Sequence, residues 1–442
     1  QRYLNFMVEE RLLKKRTMFI TSLLIFVLLA TGSALASSTY LENGQVVEEF
    51  SSRPLADRKE IRSLGTGCNR YVDHAQGFSL SYPQEMKVAV SLSSLRTVLS
   101  DSATRLEIYH DTFSSANAPT AQAYINYSNR FLLNKTDHQV QEDRYLIING
   151  YQVHLLRWER NKLARVENDH NYYVSAEIIV NLTEVYTLIW ESTRPINQYM
   201  TVLESFQTIP RSGSPGFWVK YAPTQTNWND ETRTWFDQYF QESAPLTWGI
   251  FEPTAPVSFS YLQQLEKRFN YQFPILLVYQ HLDSNPPLPI LQQAYKEGRT
   301  VELTLQTSSA KLSEADNQRL PYDFLNGVYD DFLHNYARQL KEFGHPLLFR
   351  LNNEMNGDWC TYSSYYTSKD PDLFIALWRY VYDIFQQEEV NNVIWVWNPN
   401  DISFPNFKWN HAFLYYPGDE YVDVVGLTGY NTGTYYAGEQ WR

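Results

Sequence analysis

The second half of this 442-residue chain predicts an α/β fold, a (β/α)8 TIM barrel that is incomplete at about six strands, behind a smaller β-rich α+β domain. Three observations predict it. Short, nearly continuous apolar runs alternate with helical patterns beyond Ala244, which implies parallel strands covered by helices. The polar and aromatic residues that could act on a ligand fall at the C-terminal ends of those runs, the active face of such barrels. Residues 244–442 hold only six strand candidates, whereas a complete barrel takes ~250 residues and eight strands.

The N-terminus reads as an export signal, residues 1–36. Lys14, Lys15 and Arg16 precede the apolar run Met18–Ala30, and Ala34-Leu35-Ala36 offers the small residues of a cleavage site. Translation is expected to start at Met7, which keeps the basic segment. The run is shorter than the ~20 residues of a comfortable membrane span. A secreted protein is therefore expected, with an uncleaved anchor as the alternative. Cys68 and Cys360 stand far apart in sequence, and no disulfide framework is expected.

Residues 37–70, polar and mixed in charge, read as a linker. Residues 71–210 then form the β-rich accessory domain, through FSLSYP (Phe78–Pro83), Thr104–Phe113, Tyr145–Trp158 with a hairpin signal at Asn149-Gly150, Asn171–Val180 and Glu184–Ser192. Helical stretches fit at Ala121–Leu133 and Asn197–Phe206. Histidines are scattered here without metal-ligand spacing. Residues 211–243 are a connection with a helix near Glu231–Gln241.

The barrel strands are expected at Thr247–Phe251, Phe273–Gln280, Thr300–Gln306, Pro346–Asn352, Asn392–Asn398 and Val422–Tyr430. Helices are expected at Phe259–Asn270, Leu288–Gly298, Asp323–Phe343 and Pro371–Glu388. The fourth strand runs into LLFRLNNEMNGDW (Leu347–Trp359). At a barrel mouth Glu354 can be partly desolvated and act as a proton donor near neutral pH. Asn352, Asn353 and Asn356 can bond sugar hydroxyls without adding charge, and Trp359 offers a stacking face. The plainer alternative is a loop carboxylate that caps a helix or pairs with Arg350.

Composition narrows the partners. A net charge of −12 and a pI near 5.3 argue against nucleic acid, whose phosphates are bound by surplus Lys and Arg. Aromatics make up 16% of residues, with 12 Trp and 33 Tyr, which suits flat ligands such as sugar rings. Polysaccharide is the expected partner, and neither metal nor cofactor is called for.

LLFRLNNEMNGDW, the preceding NGVYDDFLHNYARQLKEFGHP, WVWNPND (Trp395–Asp401) and YYPGDEYVDVVGLTGYN (Tyr415–Asn431) resemble glycoside hydrolase family 26, the retaining β-mannanase family, over about the last 200 residues. The resemblance implies that Glu354 is the general acid/base. It implies that Trp359 forms a sugar subsite, that Tyr430 reaches the nucleophile region and that Trp397 lines the cleft. Arg350, Asn353, Trp359, Trp397 and Tyr430 are thus the expected substrate-binding residues. Two departures stand out. Asn353 replaces the family's usual His and matches the wider clan, whose asparagine binds the sugar 2-hydroxyl. The family's nucleophilic glutamate ends a seventh strand, which is expected beyond Arg442. Glu252, Asp401 and Glu439 are the other carboxylates that could face the cleft.

Three functions compete on the sequence alone. The favoured one is a secreted endo-acting hydrolase of β-1,4-linked polysaccharide, mannan or glucomannan first, of which this fragment would hold one catalytic carboxylate. The others are a non-catalytic polysaccharide-binding barrel and a cell-surface interaction protein working through the β-rich domain.

Overall fold

A computed structural model describes residues 38–65, 67–113, 120–222, 224 and 226–431. The expected signal segment and Glu439 lie outside the described residues. Among the described residues no helix is long and apolar enough to cross a membrane. Two units partition the chain. The first takes the described residues up to Asn126, Gln139–Asn161 and Asn168–Tyr221; the second takes Tyr127–His138, Lys162–Glu167 and the residues from Ala222 on.

The first unit is built of two antiparallel sheets. One orders its strands Gln207–Thr208, Phe78–Pro83, Cys68–Asp73, Arg58–Ser63, Ser38–Glu42 and Gln45–Val47; the other runs Lys87–Ala89, Arg96–Ser100, Thr104–Thr112, Glu184–Ser192, Tyr172–Asn181, Tyr151–Glu159 and Gln139–Ile148. The hairpin at Asn149-Gly150 forms as its residues require, both at positive φ (51° and 84°). Leu80, Leu99, Leu106, Leu155, Ala176 and Leu188 fill the core.

Residues 37–70 are not a linker. They supply strands Ser38–Glu42, Gln45–Val47, Arg58–Ser63 and the start of Cys68–Asp73. Their charges misled because several are buried in pairs rather than solvated. Lys59 is 1% exposed, contacts the Asp57 carboxylate and lies 3.5 Å from Asp73, which also accepts the Tyr71 hydroxyl at 3.0 Å. Burial pushes the Asp73 carboxyl up, while Lys59 and the Gln76 N–H hold it down.

Among the described residues the second unit is a six-stranded, wholly parallel sheet in sequential order: β1 Gly249–Phe251, β2 Ile275–His281, β3 Thr300–Gln306, β4 Leu347–Leu351, β5 Val393–Trp397 and β6 Val424–Val425. Its larger helices are α1 Asp230–Phe240, α2 Ser260–Phe269, α3 Leu288–Lys296, α4 Asp330–Phe343 and α5 Pro371–Gln387. Their starts and stops follow local chemistry. Asn229 caps α1 by accepting the Thr232 N–H at 2.8 Å, Asp370 caps α5 ahead of Pro371, and Gly344 ends α4 at φ 72°. The single helix expected over Asp323–Phe343 is two, Leu320–Leu325 and α4. Gly327 breaks it at φ 82°, where a Cβ would lie 2.9 Å from Arg165.

Strand alternation divides the residues between two faces. Leu276, Val278, Val301, Leu303, Leu305, Phe349, Leu351, Trp395 and Trp397 pack beneath α2 to α5, against Leu262, Leu291, Tyr336, Leu340, Leu377 and Phe385. Each such fully buried side chain contributes about 1.5–3 kcal/mol. On the opposite face Leu348, Ile394 and Val396 meet Trp228, just ahead of α1, and Trp235 and Phe236 in its middle. Hydrogen bonds from Trp228 Nε1 to the Val393 carbonyl (2.9 Å) and from the Asn229 N–H to that of Asn391 (2.8 Å) fix α1 at the N-terminal ends of the strands. The C-terminal ends on that face stay open, and the candidate site lies there.

Strand β6 is much shorter than the expected Val422–Tyr430. A carboxylate beside it is sensitive to pH. Asp423 accepts the Trp395 N–H at 2.7 Å, yet burial pushes its pKa up to about 6. The native state therefore binds a proton that the unfolded chain releases near pH 4, and stability falls as pH rises between those values. Asp423→Asn keeps an acceptor and removes the titration. In thermal melts it should gain on the parent as pH rises from 4.5 to 7.5; a difference independent of pH would count against this.

Candidate active site

Strand β3 carries a legible signal: apolar Val301, Leu303 and Leu305 alternate with Glu302, Thr304 and Gln306. Register places Leu348 beside Glu302, Arg350 beside Thr304 and Ile394 beside Leu348. Tyr279, Thr304, Arg350 and, further along, Asn398 thus share the open face.

Arg350 organises its floor. It is 6% exposed and donates Nε to Thr304 Oγ1 at 2.8 Å and Nη1 to Asn398 Oδ1 at 2.6 Å. Its guanidinium lies 5.1 Å from the centre of the Tyr279 ring and 3.4 Å from the Glu302 carboxylate. Burial pushes the Glu302 carboxyl up, and the Arg350 charge opposes this. Arg350 Nη2 is buried and makes no hydrogen bond among the described residues.

The chain then leaves β4 through two residues in left-handed backbone, Asn352 (φ 51°) and Glu354 (φ 56°). Asparagine tolerates this conformation; glutamate adopts it rarely, at a cost of order 1–3 kcal/mol. The surroundings hold it. The Asn352 N–H donates to the Leu305 carbonyl (3.0 Å), its Oδ1 accepts the Thr307 N–H (2.7 Å), and the Glu354 N–H donates to the Asn398 carbonyl (2.7 Å). Asn356 is bound on all sides, to Asn400, Ser403 and Asn410. Asn352 and Asn356 are therefore buried scaffold, not hydroxyl ligands as expected. Asn353, 4% exposed, turns Oδ1 to Gln306 Nε2 (3.1 Å) and its carbonyl to the Tyr362 hydroxyl (2.7 Å).

Glu354 is half-buried, and its Oε2 accepts the indole N–H of Trp359 at 2.9 Å. Trp359 is 50% exposed, with Phe404 at 5.4 Å between ring centres. A Cβ on Gly357 would come within 2.5 Å of the indole. Gly357→Ala should therefore displace Trp359, break its bond to Glu354 and lower stability by about 1.5–3 kcal/mol, the worth of one hydrogen bond to a charged group. A thermal melt indistinguishable from the parent's would show that the indole position is immaterial.

Tyr430 also belongs here. It is exposed, and its phenol is pushed up by partial burial and by the nearby Glu354 charge, with Arg350 acting the other way. The structure thus brings Arg350, Glu354, Trp359 and Tyr430 together, with Asn353 behind them. Trp397 it does not. It is 3% exposed, on the helix side of the sheet, edge-on to Tyr416. Parity explains the error: Val393, Trp395 and Trp397 share one face, and Asn398 is the residue that reaches the site. Glu252 is 2% exposed and accepts the N–H and hydroxyl of Thr254. Asp401 is exposed beside Gly429. Among the described residues no group of three His, Cys, Asp or Glu could hold a metal ion.

Comparison with known proteins adds the family. The model of glycosyl hydrolase family 26 matches residues 264–441. Endoglucanase H of Acetivibrio thermocellus is 36% identical over 124 residues, 27% of this chain and 13% of that protein. A mannan endo-1,4-beta-mannosidase of Bacillus subtilis is 34% identical over 102 residues, 22% of this chain and 27% of that protein. These matches span less than a third of either relative's length. The solved structure of Bacillus subtilis mannanase man26 aligns with 48% of this chain and 73% of its own, at 19% identity and a TM-score of 0.36. The match to glycosyl hydrolase family 26 thus falls on the C-terminal region of the chain, residues 264–441, which carries strands β2 to β6 and the Glu354 loop.

Proposed function

We propose that the whole protein is a secreted glycoside hydrolase that cleaves β-1,4-linked polysaccharide of the mannan or glucomannan type with retention of configuration. The observation that carries this is Glu354: a half-buried carboxylate held in left-handed backbone at the end of β4, with one oxygen bonded to an exposed tryptophan. A proton donor must be fixed against the leaving oxygen while its neighbours hold the sugar, and this geometry suits that role. The names of the relatives, endoglucanase and mannan endo-1,4-beta-mannosidase, support a β-linked hexose backbone.

In this reading Glu354 protonates the glycosidic oxygen as the bond breaks, and then, as the carboxylate, takes a proton from the water that releases the sugar. Retention needs a second carboxylate ~5–5.5 Å away to form the glycosyl-enzyme. We assign it to a glutamate on a seventh strand of a complete (β/α)8 barrel, beyond Arg442. Arg350 Nη2, which makes no hydrogen bond among the described residues, supports an acceptor beside it. Export through residues 1–36 and an accessory role for the antiparallel unit belong to the same proposal.

The test is reducing-sugar release by the gene's full product from mannan, glucomannan, mixed-linkage glucan and xylan. Fastest release from the first two is expected. Binding without release from any of them would move the reading to a non-cleaving polysaccharide binder.

A further inference from the structure

The second unit carries another concavity, lined in part by the chain that follows Glu354. An open cleft of about 760 Å³ lies between Arg130–Thr136, the turn around Glu314–Arg319, and the Asp358–Tyr366 loop. Its size falls in the ~300–1,000 Å³ range of ligand clefts.

Its aromatic wall is fixed before any ligand arrives. Tyr365 packs 5.1 Å from Tyr127 and 4.8 Å from Tyr366, ring centre to ring centre. The Tyr366 hydroxyl donates to the Asp358 carbonyl at 2.6 Å, and that of Tyr127 bonds the Asp358 carboxylate. The segment bearing Tyr127 is itself tied down within this unit: Trp409 Nε1 donates to Ser128 Oγ (3.1 Å), and Lys369 Nζ to Asn129 Oδ1 (2.8 Å). Tyr127 and Tyr366, half-buried and held this way over the buried Tyr365, offer contact area at little entropic cost.

The charges around the cleft balance. Arg130, Lys135 and Arg319 are matched by Glu314, Asp316 and Asp358. A phosphate or a uronate would favour a surplus of cations; an uncharged, hydroxyl-rich ligand favours this mixture of donors and acceptors beside aromatic faces. Asp358 also joins the cleft to the catalytic loop, since it directly precedes Trp359, whose indole bonds Glu354.

We infer that this cleft is a second glycan-binding subsite, which takes a distal stretch of the same neutral β-linked hexose chain that passes Glu354. The inference rests on the proposed function. Long oligosaccharides engage the cleft and short ones do not, so binding gains with chain length.

The test uses the full protein carrying Glu354→Gln, so that binding is read without cleavage. Manno-oligosaccharides from the disaccharide to the hexasaccharide are titrated calorimetrically. Tyr366→Ala removes one ring of the wall, and Thr136→Arg obstructs the rim from an exposed position where no packing is lost. Each should weaken the hexasaccharide roughly tenfold, the scale of one aromatic contact, and leave the disaccharide unchanged. Equal hexasaccharide affinity in parent and both variants overturns the subsite and leaves the proposed function standing. Failure of every oligosaccharide to bind the parent overturns both.

Discussion

Glu354→Gln in the whole protein should slow polysaccharide hydrolysis by ~10²–10⁴-fold and leave glycan affinity nearly intact. The amide keeps the size of the carboxylate and an oxygen for the Trp359 N–H, so the loop is expected to hold its conformation, but it cannot shuttle a proton. The deficit should shrink on an aryl glycoside with a good leaving group, because that bond needs little protonation. Release of the sugar from the enzyme then becomes limiting. Steady-state kinetics on both substrates read this directly, and equal loss on both would mean that Glu354 acts by some other route.

Arg350→Leu has the second largest expected effect, this time on stability. The substitution leaves Glu302 without its ionic partner and Asn398 with only the longer bond from the Thr428 hydroxyl (3.4 Å), beneath a ring that had faced a cation. Breaking a buried pair by removing one member costs about 3–5 kcal/mol. The sign of the pH dependence follows from Glu302, whose carboxyl burial already pushes up. Without Arg350 it is pushed up further, so the folded variant takes up a proton that the unfolded chain does not hold, and its deficit narrows as pH falls. Denaturant titrations of the parallel-sheet unit at pH 5 and pH 8 would show this. A deficit that widened in acid would contradict the placement of the charge pair.

The parallel sheet was legible because its strands are short apolar runs in an unbroken rhythm. Thr300–Gln306 stands where expected, and Leu347–Leu351 and Val393–Trp397 lie within a residue of their expected limits. Residues 37–70 were not legible, because buried Lys59, Asp57 and Asp73 look the same in a sequence as solvated charges. Within the site Glu354 and Trp359 are legible in the motif, whereas Trp397, which the resemblance implies for the cleft, has the strand parity of the core. Asn398, Tyr279 and Glu302 were recoverable from that same parity once Arg350 had fixed the open face. The left-handed backbone at Glu354 has no sequence signal, since tertiary hydrogen bonds impose it.

The central claim is that Glu354 works as the acid/base of a retaining site. Its most direct test is the product that Glu354→Gln forms from an aryl glycoside in the presence of azide, identified by proton NMR. An anion that needs no base can replace water at the glycosyl-enzyme. The account predicts faster turnover with azide and a glycosyl azide of β configuration. Wild-type hydrolysis by Glu354→Gln, with no azide adduct at any concentration, would contradict it.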